Sequence, residues 1–402
     1  MKTQTRRVNG LFFNLLCISL AFFLILSRDI RFLTAPRIWA EEGTVYIQSF
    51  LKLPFYESLF SPHLGYYSFF NNYTAGISSA LLPLNLVPWG TTLWSLLNAL
   101  LCILAPLYLR SQYWDTKSKI ILLIVFSIIV ANCEIWLNSI NLQFYFCLFT
   151  AYLVLSHEEK KMSRSSLLLI FWLSINAAFT GITSIILMPF LLVRFCKRSV
   201  QFKTNLTILS IYFFGALVQT LVLFNLYFSD HLSRFSISNL PNLLIGFFDT
   251  TLTFLDASSP IVKSCFLILI FISLTLNPKL FKKFLLPLSI GLYLSLVFTF
   301  LSLNMAGGAR YGYAPAVLFL LISLNLIDNL QAYFKWGILA SLVVIFLFML
   351  KNYFDTTSCY NSSWIPFSSH HIFQDSKGGQ FLVAFPQREG LVWRIYLPQL
   401  IK

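Results

Sequence analysis

Long apolar stretches, broken by short polar or basic pieces, recur along the whole chain. Many approach the roughly 20 residues that a helix needs to cross a bilayer. Their limits predict spans at about 11–27, 91–109, 120–131, 142–156, 165–178, 180–193, 206–228, 261–276, 284–303, 311–327 and 336–350. The run 165–193 is too long for one helix, and the small, polar Asn176-Ala-Ala-Phe-Thr-Gly181 predicts two short helices turning there. Asn72 to Val87 is apolar but short and interrupted by Pro83, Pro88 and Gly90. It reads as a helix lying on the membrane surface, with Tyr66, Tyr67, Phe69, Phe70 and Tyr73 as aromatic anchors. From Glu41 to Leu53, residues Tyr46, Ile47, Phe50 and Leu53 share one face, the pattern of an amphipathic helix. Beyond Lys351 the chain turns polar, and Phe381-Leu-Val-Ala-Phe385 and Leu391-Val-Trp-Arg-Ile-Tyr-Leu397 predict a small β-hairpin.

The expected organisation is therefore an all-α polytopic membrane module of about 11 helices over 1–350. Within it, 28–90 forms a first outer loop with juxtamembrane helices, and a short outer tail follows at 351–402. Composition agrees: 57% of residues are hydrophobic and 11% charged, where a soluble domain carries about a quarter charged. The net charge of +14 is unevenly placed. With the N-terminus inside, the pieces 1–10, 110–119, 157–164, 194–205, 277–283 and 328–335 are cytoplasmic and hold 17 basic and four acidic residues. The outer pieces hold 12 basic and 11 acidic residues, as the positive-inside rule expects. That rule accounts for the basic excess without any nucleic acid. The first span follows Lys2, Arg6 and Arg7 without a small-residue cleavage pattern, so it reads as a retained helix rather than a signal peptide. Seven scattered cysteines form neither a disulfide framework nor a metal knuckle, and the whole suits a bacterial inner membrane protein with an extracytoplasmic C-terminus.

A few polar residues at the expected outer boundary could carry chemistry. Glu41 and Glu42, in Arg37-Ile-Trp-Ala-Glu-Glu-Gly43, either open the amphipathic helix, where carboxylates favour its dipole, or act on a substrate. In the second case they offer a general base for an acceptor hydroxyl, or a ligand for a divalent cation (magnesium or manganese). Trp39, Arg37 and His63 lie in the same loop, and Gly43 would let the backbone approach a ligand closely. Arg310 and Tyr311 lie in Asn304-Met-Ala-Gly-Gly-Ala-Arg-Tyr-Gly-Tyr-Ala-Pro315. Arg310 either snorkels to head groups or, on a turn loosened by Gly307 and Gly308, forks onto a lipid-linked phosphate. In Asn132-Cys-Glu-Ile-Trp-Leu-Asn-Ser-Ile-Asn-Leu-Gln143, the polar Glu134, Asn138, Asn141 and Gln143 need hydrogen-bond partners at a membrane boundary. Neighbouring helices would serve; so would a sugar, with Trp136 stacked on its apolar face and Tyr66 beside it. His370-His371 lacks any ligand spacing, and Asn72-Tyr-Thr74 and Asn361-Ser-Ser363 match an N-glycosylation pattern that is common by chance. No phosphate-binding Gly-Lys loop, dinucleotide fingerprint or zinc motif is present.

In order and spacing these motifs resemble the GT-C superfamily of polytopic glycosyltransferases. The resemblance rests on Ala40-Glu-Glu-Gly43 after the first helix, then Pro62-His-Leu-Gly-Tyr-Tyr-Ser-Phe-Phe-Asn-Asn-Tyr73 and Leu81-Leu-Pro-Leu-Asn-Leu-Val-Pro88. A short-helix hairpin at Thr180-Gly-Ile-Thr-Ser-Ile-Ile-Leu-Met-Pro189 and a late Arg310-Tyr311 complete it. Many members carry an aspartate in the first-loop motif, where this chain has two glutamates. The resemblance implies transfer of a sugar from a polyprenyl-phosphate donor to a glycan or lipid-linked acceptor on the outer face, with inversion at the anomeric carbon. Glu41 or Glu42 would be the base; Arg310, Tyr311, Arg37 and His63 would hold the donor phosphate; Glu134, Trp136, Asn138, Asn141 and Tyr66 would hold the sugar or acceptor. Two other readings share this layout. A polysaccharide polymerase or ligase would lean on basic residues in a large outer loop, yet 229–260 offers just His231 and Arg234. A flippase or transporter would show repeated halves or midplane charges, which the chain lacks.

Overall fold

The computed structural model describes residues 2–63, 65–131, 135–156, 162–195, 202–224, 240–253, 260–302, 310–329, 332–354, 373–374, 380–388 and 391–397. Among these the protein is helical apart from one small sheet. The first half holds α1 (Lys2–Arg28), α2 (Arg31–Thr34), α3 (Gln48–Lys52), α4 (Phe55–Phe60), α5 (Phe69–Leu81), α6 (Val87–Ile103), α7 (Ala105–Tyr108), α8 (Lys117–Ile129) and α9 (Gln143–Leu155). The second holds α10 (Arg164–Phe179), α11 (Met188–Phe195), α12 (Phe202–Val222), α13 (Leu240–Thr251), α14 (Pro260–Thr275), α15 (Pro278–Leu301), α16 (Tyr313–Asn329) and α17 (Ala332–Phe354). Five segments (Gly10–Arg28, Leu84–Ile103, Phe202–Val222, Pro278–Leu301 and Lys335–Phe354) have the length and apolar composition to cross a membrane, as in an integral membrane protein. A helix lies at each of the remaining expected spans, but is shorter.

Proline and polar caps set several helix limits. Pro88 sits in the first turn of α6, where its missing N–H costs nothing. Pro106 opens α7, so the expected 91–109 span starts earlier and breaks at Leu104. The side chains of Thr116, Ser163 and Asn277 accept backbone N–H bonds from residues three positions on, capping α8, α10 and α15.

Two helices fill the middle of the bundle. Every residue of α9 is buried, and so is α16 from Tyr313 to Leu326. A helix apolar on all sides is stable only when enclosed, and these two pack against each other. The expected surface helix is also drawn inward. In α5 Phe70 is wholly buried against Phe146, and Tyr73 packs on Trp94 and Trp172. The aromatic residues proposed as membrane anchors there thus include packing residues of α5, and Asn71, Asn72 and Thr74 are buried with them.

The polar pieces gather at two ends. Lys119 binds Asp115 at 3.0 Å and Asp328 at 2.9 Å, and the Tyr113 hydroxyl donates to the Lys283 carbonyl. Arg194 donates to the carbonyls of Leu153, Val154 and Ser156. Pieces expected to share one side of the membrane therefore touch. At the other end Arg28 is buried at the last turn of α1. Its guanidinium lies 4.5 Å from the Trp136 ring and 4.8 Å from that of Tyr353, and donates to the Ala131 carbonyl at 2.6 Å. The Tyr353 hydroxyl returns to the Leu24 carbonyl. One cation thus joins α1, α17 and the turn before α9.

The sheet combines β1 (Phe373–Gln374), β2 (Gln380–Arg388) and β3 (Leu391–Tyr396), all antiparallel, with Phe381 opposite Tyr396. This is the expected hairpin, but it is docked rather than free. Ile395 and Leu382 are buried in a cluster with Ile38, Trp39, Tyr46 and Ile47. The Gln48 amide extends the sheet edge, donating to the Tyr396 carbonyl at 2.8 Å and accepting its N–H.

Replacing Arg28 by Ala should remove both ring contacts and the carbonyl bond, lowering stability by about 2 kcal/mol or more. Thermal unfolding of the detergent-solubilised protein checks this; Lys at position 28 should recover part of the loss.

Candidate active site

The first loop carries its acids on an unusual turn. Residues Glu42–Ile47 form a π-helical segment that continues into α3. Such i→i+5 turns interrupt an α-helix at a cost and recur at functional sites.

The two glutamates differ sharply. Glu42 is buried and accepts three hydrogen bonds: from Ser139 N–H at 3.2 Å, from Ser139 Oγ at 2.6 Å and from Trp39 N–H at 3.1 Å. Burial pushes its carboxyl above the ordinary glutamate value, against the lowering effects of those donors and of Arg37. Arg37 is itself buried, 4.8 Å from both the Phe32 and Trp39 rings. It belongs to the packing around Glu42 rather than to an open phosphate site. Gly43, expected to face a ligand, instead faces the tail: a Cβ there would lie 2.6 Å from Ile395 Cδ1. Glu41 is half-buried beside this knot.

Tyr66 is where the distant candidates meet. It follows Gly65 and pairs through its backbone with His63. The charges of Glu41, Arg310 and Tyr311 bear on its hydroxyl, and Gln143 and Tyr66 both lie beside Gly181. Burial pushes the Tyr66 phenol up to about 12, Arg310 working against the rise and Glu41 with it. Arg310 lies 5.2 Å from the Tyr311 ring, which packs on Phe144 and Phe298. The charges of the first-loop acid and the late arginine thus act on one hydroxyl, although 269 residues separate them in the chain.

A third element closes the site. The turn between α10 and α11 occurs where expected, with Gly181 at φ 74°. Its N–H donates to the Tyr67 carbonyl at 3.1 Å, and Thr180 Oγ1 accepts from Phe70 N–H at 3.1 Å. A Cβ at Gly181 would lie 2.3 Å from Gln143 Oε1 and 3.7 Å from Tyr66 Cδ2. Gln143 at the head of α9 is therefore pressed between this turn and Tyr66.

Several expected sugar contacts are structural. Trp136 is buried under Arg28 and Tyr353. Asn138 is buried with its Oδ1 accepting from Asn141 N–H at 2.9 Å, and Asn141 is buried as well. The segment turns inward at Leu137, whose φ is 46°, so these side chains face the protein. His63 stacks edge-on to Tyr46 at 5.2 Å, and burial lowers its pKa, which disfavours the cation that would attract a phosphate. Asn72 donates to the carbonyls of Leu59 and Ser61, so it is no glycan acceptor. Glu134, Gly307, Gly308, His231, Arg234, Asn361, His370 and His371 lie outside the described residues. Among the described residues no three His, Cys, Asp or Glu side chains group as metal ligands. Gln143, Thr180 and Gly181 lie in stretches that the sequence singled out, but their proximity to Tyr66 and its neighbours is visible in the fold alone.

No protein-family model, curated protein or solved structure matches this chain.

Glu42→Gln should place an amide donor against the Trp39 or Ser139 donors and cost about 1–3 kcal/mol. Because burial raises the Glu42 pKa, the folded state holds that proton more tightly than the unfolded chain. The stabilisation this gives is present at acid pH and is lost as pH rises through the folded pKa, so the melting gap between wild type and Glu42→Gln should narrow from acid to neutral pH.

Proposed function

We propose that this protein is a membrane glycosyltransferase of the GT-C type, transferring a sugar from a polyprenyl-phosphate donor to a glycan or lipid-linked acceptor. What supports the reading is that the charges of both Glu41 and Arg310 act on Tyr66, and that contacts run from Arg310 through Tyr311 to Phe144, next to Gln143, which shares the neighbourhood of Gly181 with Tyr66. An acid and a guanidinium flanking one position are what such a displacement needs. The acceptor oxygen attacks the anomeric carbon while Glu41 takes its proton. The bond from that carbon to the phosphate oxygen breaks, the electron pair leaves with the polyprenyl phosphate, and Arg310 stabilises the charge that develops there. Glu42, held by three hydrogen bonds, is the anchor of the pair, and Glu41 is the base.

Orientation follows from charge. The basic pieces meet at one end, which the positive-inside rule assigns to the cytoplasm. Glu41 and Arg310 then face outside, in keeping with a bacterial inner membrane and a lipid-borne donor. The N-termini of α9 and α16 open toward the same place, and their dipoles favour a phosphate. The two enclosed helices suit a fixed site at one end better than a transport path through the middle.

Glu41→Gln should cut transfer by roughly 10²–10⁴-fold at normal protein level, and Arg310→Ala should also abolish most output. Surface glycans of cells carrying each variant report this. Unchanged glycans in both would sink the reading.

A further inference from the structure

Behind Tyr66 lies a set of buried polar groups that the transfer step does not use. The Tyr46 hydroxyl, Ser68 Oγ, both amide atoms of Asn71 and His63 Nε2 are enclosed without a formed hydrogen bond. They are contiguous. Asn71, Ser68 and Tyr66 all border the Tyr46 hydroxyl. The His63 ring meets Tyr46 at 5.2 Å, and its backbone pairs with that of Tyr66. Native proteins rarely leave such groups unpaired, because each has given up water for nothing. Here they concentrate on one neighbour of the site.

The π-helical turn collects them. In a turn closed by i→i+5 hydrogen bonds Glu41 and Tyr46, five residues apart, come nearer to one face than 3.6 residues per turn would place them. Both then border Tyr66. Gln143, close against Gly181, shares that neighbourhood with the Tyr66 ring.

We propose that the Tyr66 hydroxyl donates a hydrogen bond to the phosphate of a lipid-linked substrate beside Arg310, and that Tyr46 and Gln143 are the residues positioning it. This rests on the glycosyltransferase reading above and names a second contact for its donor. Among the described residues the Tyr66 hydroxyl makes no hydrogen bond, which leaves the phenolic proton for a ligand. With burial holding the phenol up to about 12, that proton stays in place at neutral pH. Arg310 supplies a planar fork, and Tyr66 adds a neutral donor from another direction. The loosely paired groups around Tyr46 are placed to tighten once a phosphate fixes Tyr66, as catalytic hydrogen bonds commonly do on substrate binding.

The test uses the full chain in lipid nanodiscs, with decaprenyl phosphate, decaprenol and inorganic phosphate as probes. Wild type should bind decaprenyl phosphate well above decaprenol and inorganic phosphate. Tyr66→Phe, which keeps the ring, should weaken decaprenyl phosphate roughly tenfold; Tyr46→Phe should give a smaller loss. A 3-fluorotyrosine at position 66 should shift its fluorine resonance on adding decaprenyl phosphate, by less in the Tyr46→Phe background. Tyr66→Phe binding like wild type, while Arg310→Ala is weakened, overturns the assignment and leaves the transferase reading intact. Wild type that does not distinguish decaprenyl phosphate from decaprenol removes both. Inorganic phosphate binding as tightly as the lipid overturns the lipid-linked substrate in favour of a free anion.

Discussion

The enclosed carboxylate of Glu42 is the contact on which this end of the molecule depends. A carboxylate removed from water must be met by donors, and here the Trp39 backbone and both donors of Ser139 meet it. Those partners belong to the first loop and to the turn leading into α9, where Ser139 lies 97 residues from Glu42. The bond therefore sets where the loop sits relative to the core. Once Glu42 is fixed, Glu41 has one place to go, and the π-helical turn directs Tyr46 toward Ser68 and Asn71.

The two fully enclosed helices supply the rigid reference for that arrangement. Gln143 opens α9 and Tyr311 stands just ahead of α16, with Phe144 against Tyr311. Site residues thus sit at the ends of the best-packed elements rather than on free loops. The turn at Thr180 and Gly181 adds a third fixed edge, since the Gly181 N–H donates to the Tyr67 carbonyl and the Thr180 hydroxyl accepts from the Phe70 N–H. A site assembled this way keeps its geometry without relying on any one connecting segment.

Much of the helical layout could be read directly from apolar runs, including the 176–181 turn and the 381–397 hairpin, because each depends on local pattern. The choice between Glu41 and Glu42 could not, since adjacent identical residues differ here through a serine 97 positions away. Trp136 and the aromatic residues of α5 show the same limit: an aromatic side chain at a boundary reads alike whether it faces lipid, sugar or a buried arginine. Arg37 and Arg310 are both arginines beside aromatic rings, and tertiary placement alone separates them. Gln143 stood in a polar boundary motif, yet its place beside Gly181 depends on a turn 38 residues further along the chain.

The docking of β3 has a consequence for how the protein is made. Gln48 is joined to Tyr396 across 348 residues, and Ile395 fills the space that Gly43 leaves open. During synthesis the acid-bearing loop reaches its compartment early and must wait, partly uncovered, for the strand that seals it. Contacts so far apart in sequence are slow to form. A chain still lacking that strand would leave Gly43 and the Gln48 amide uncovered at this end of the bundle.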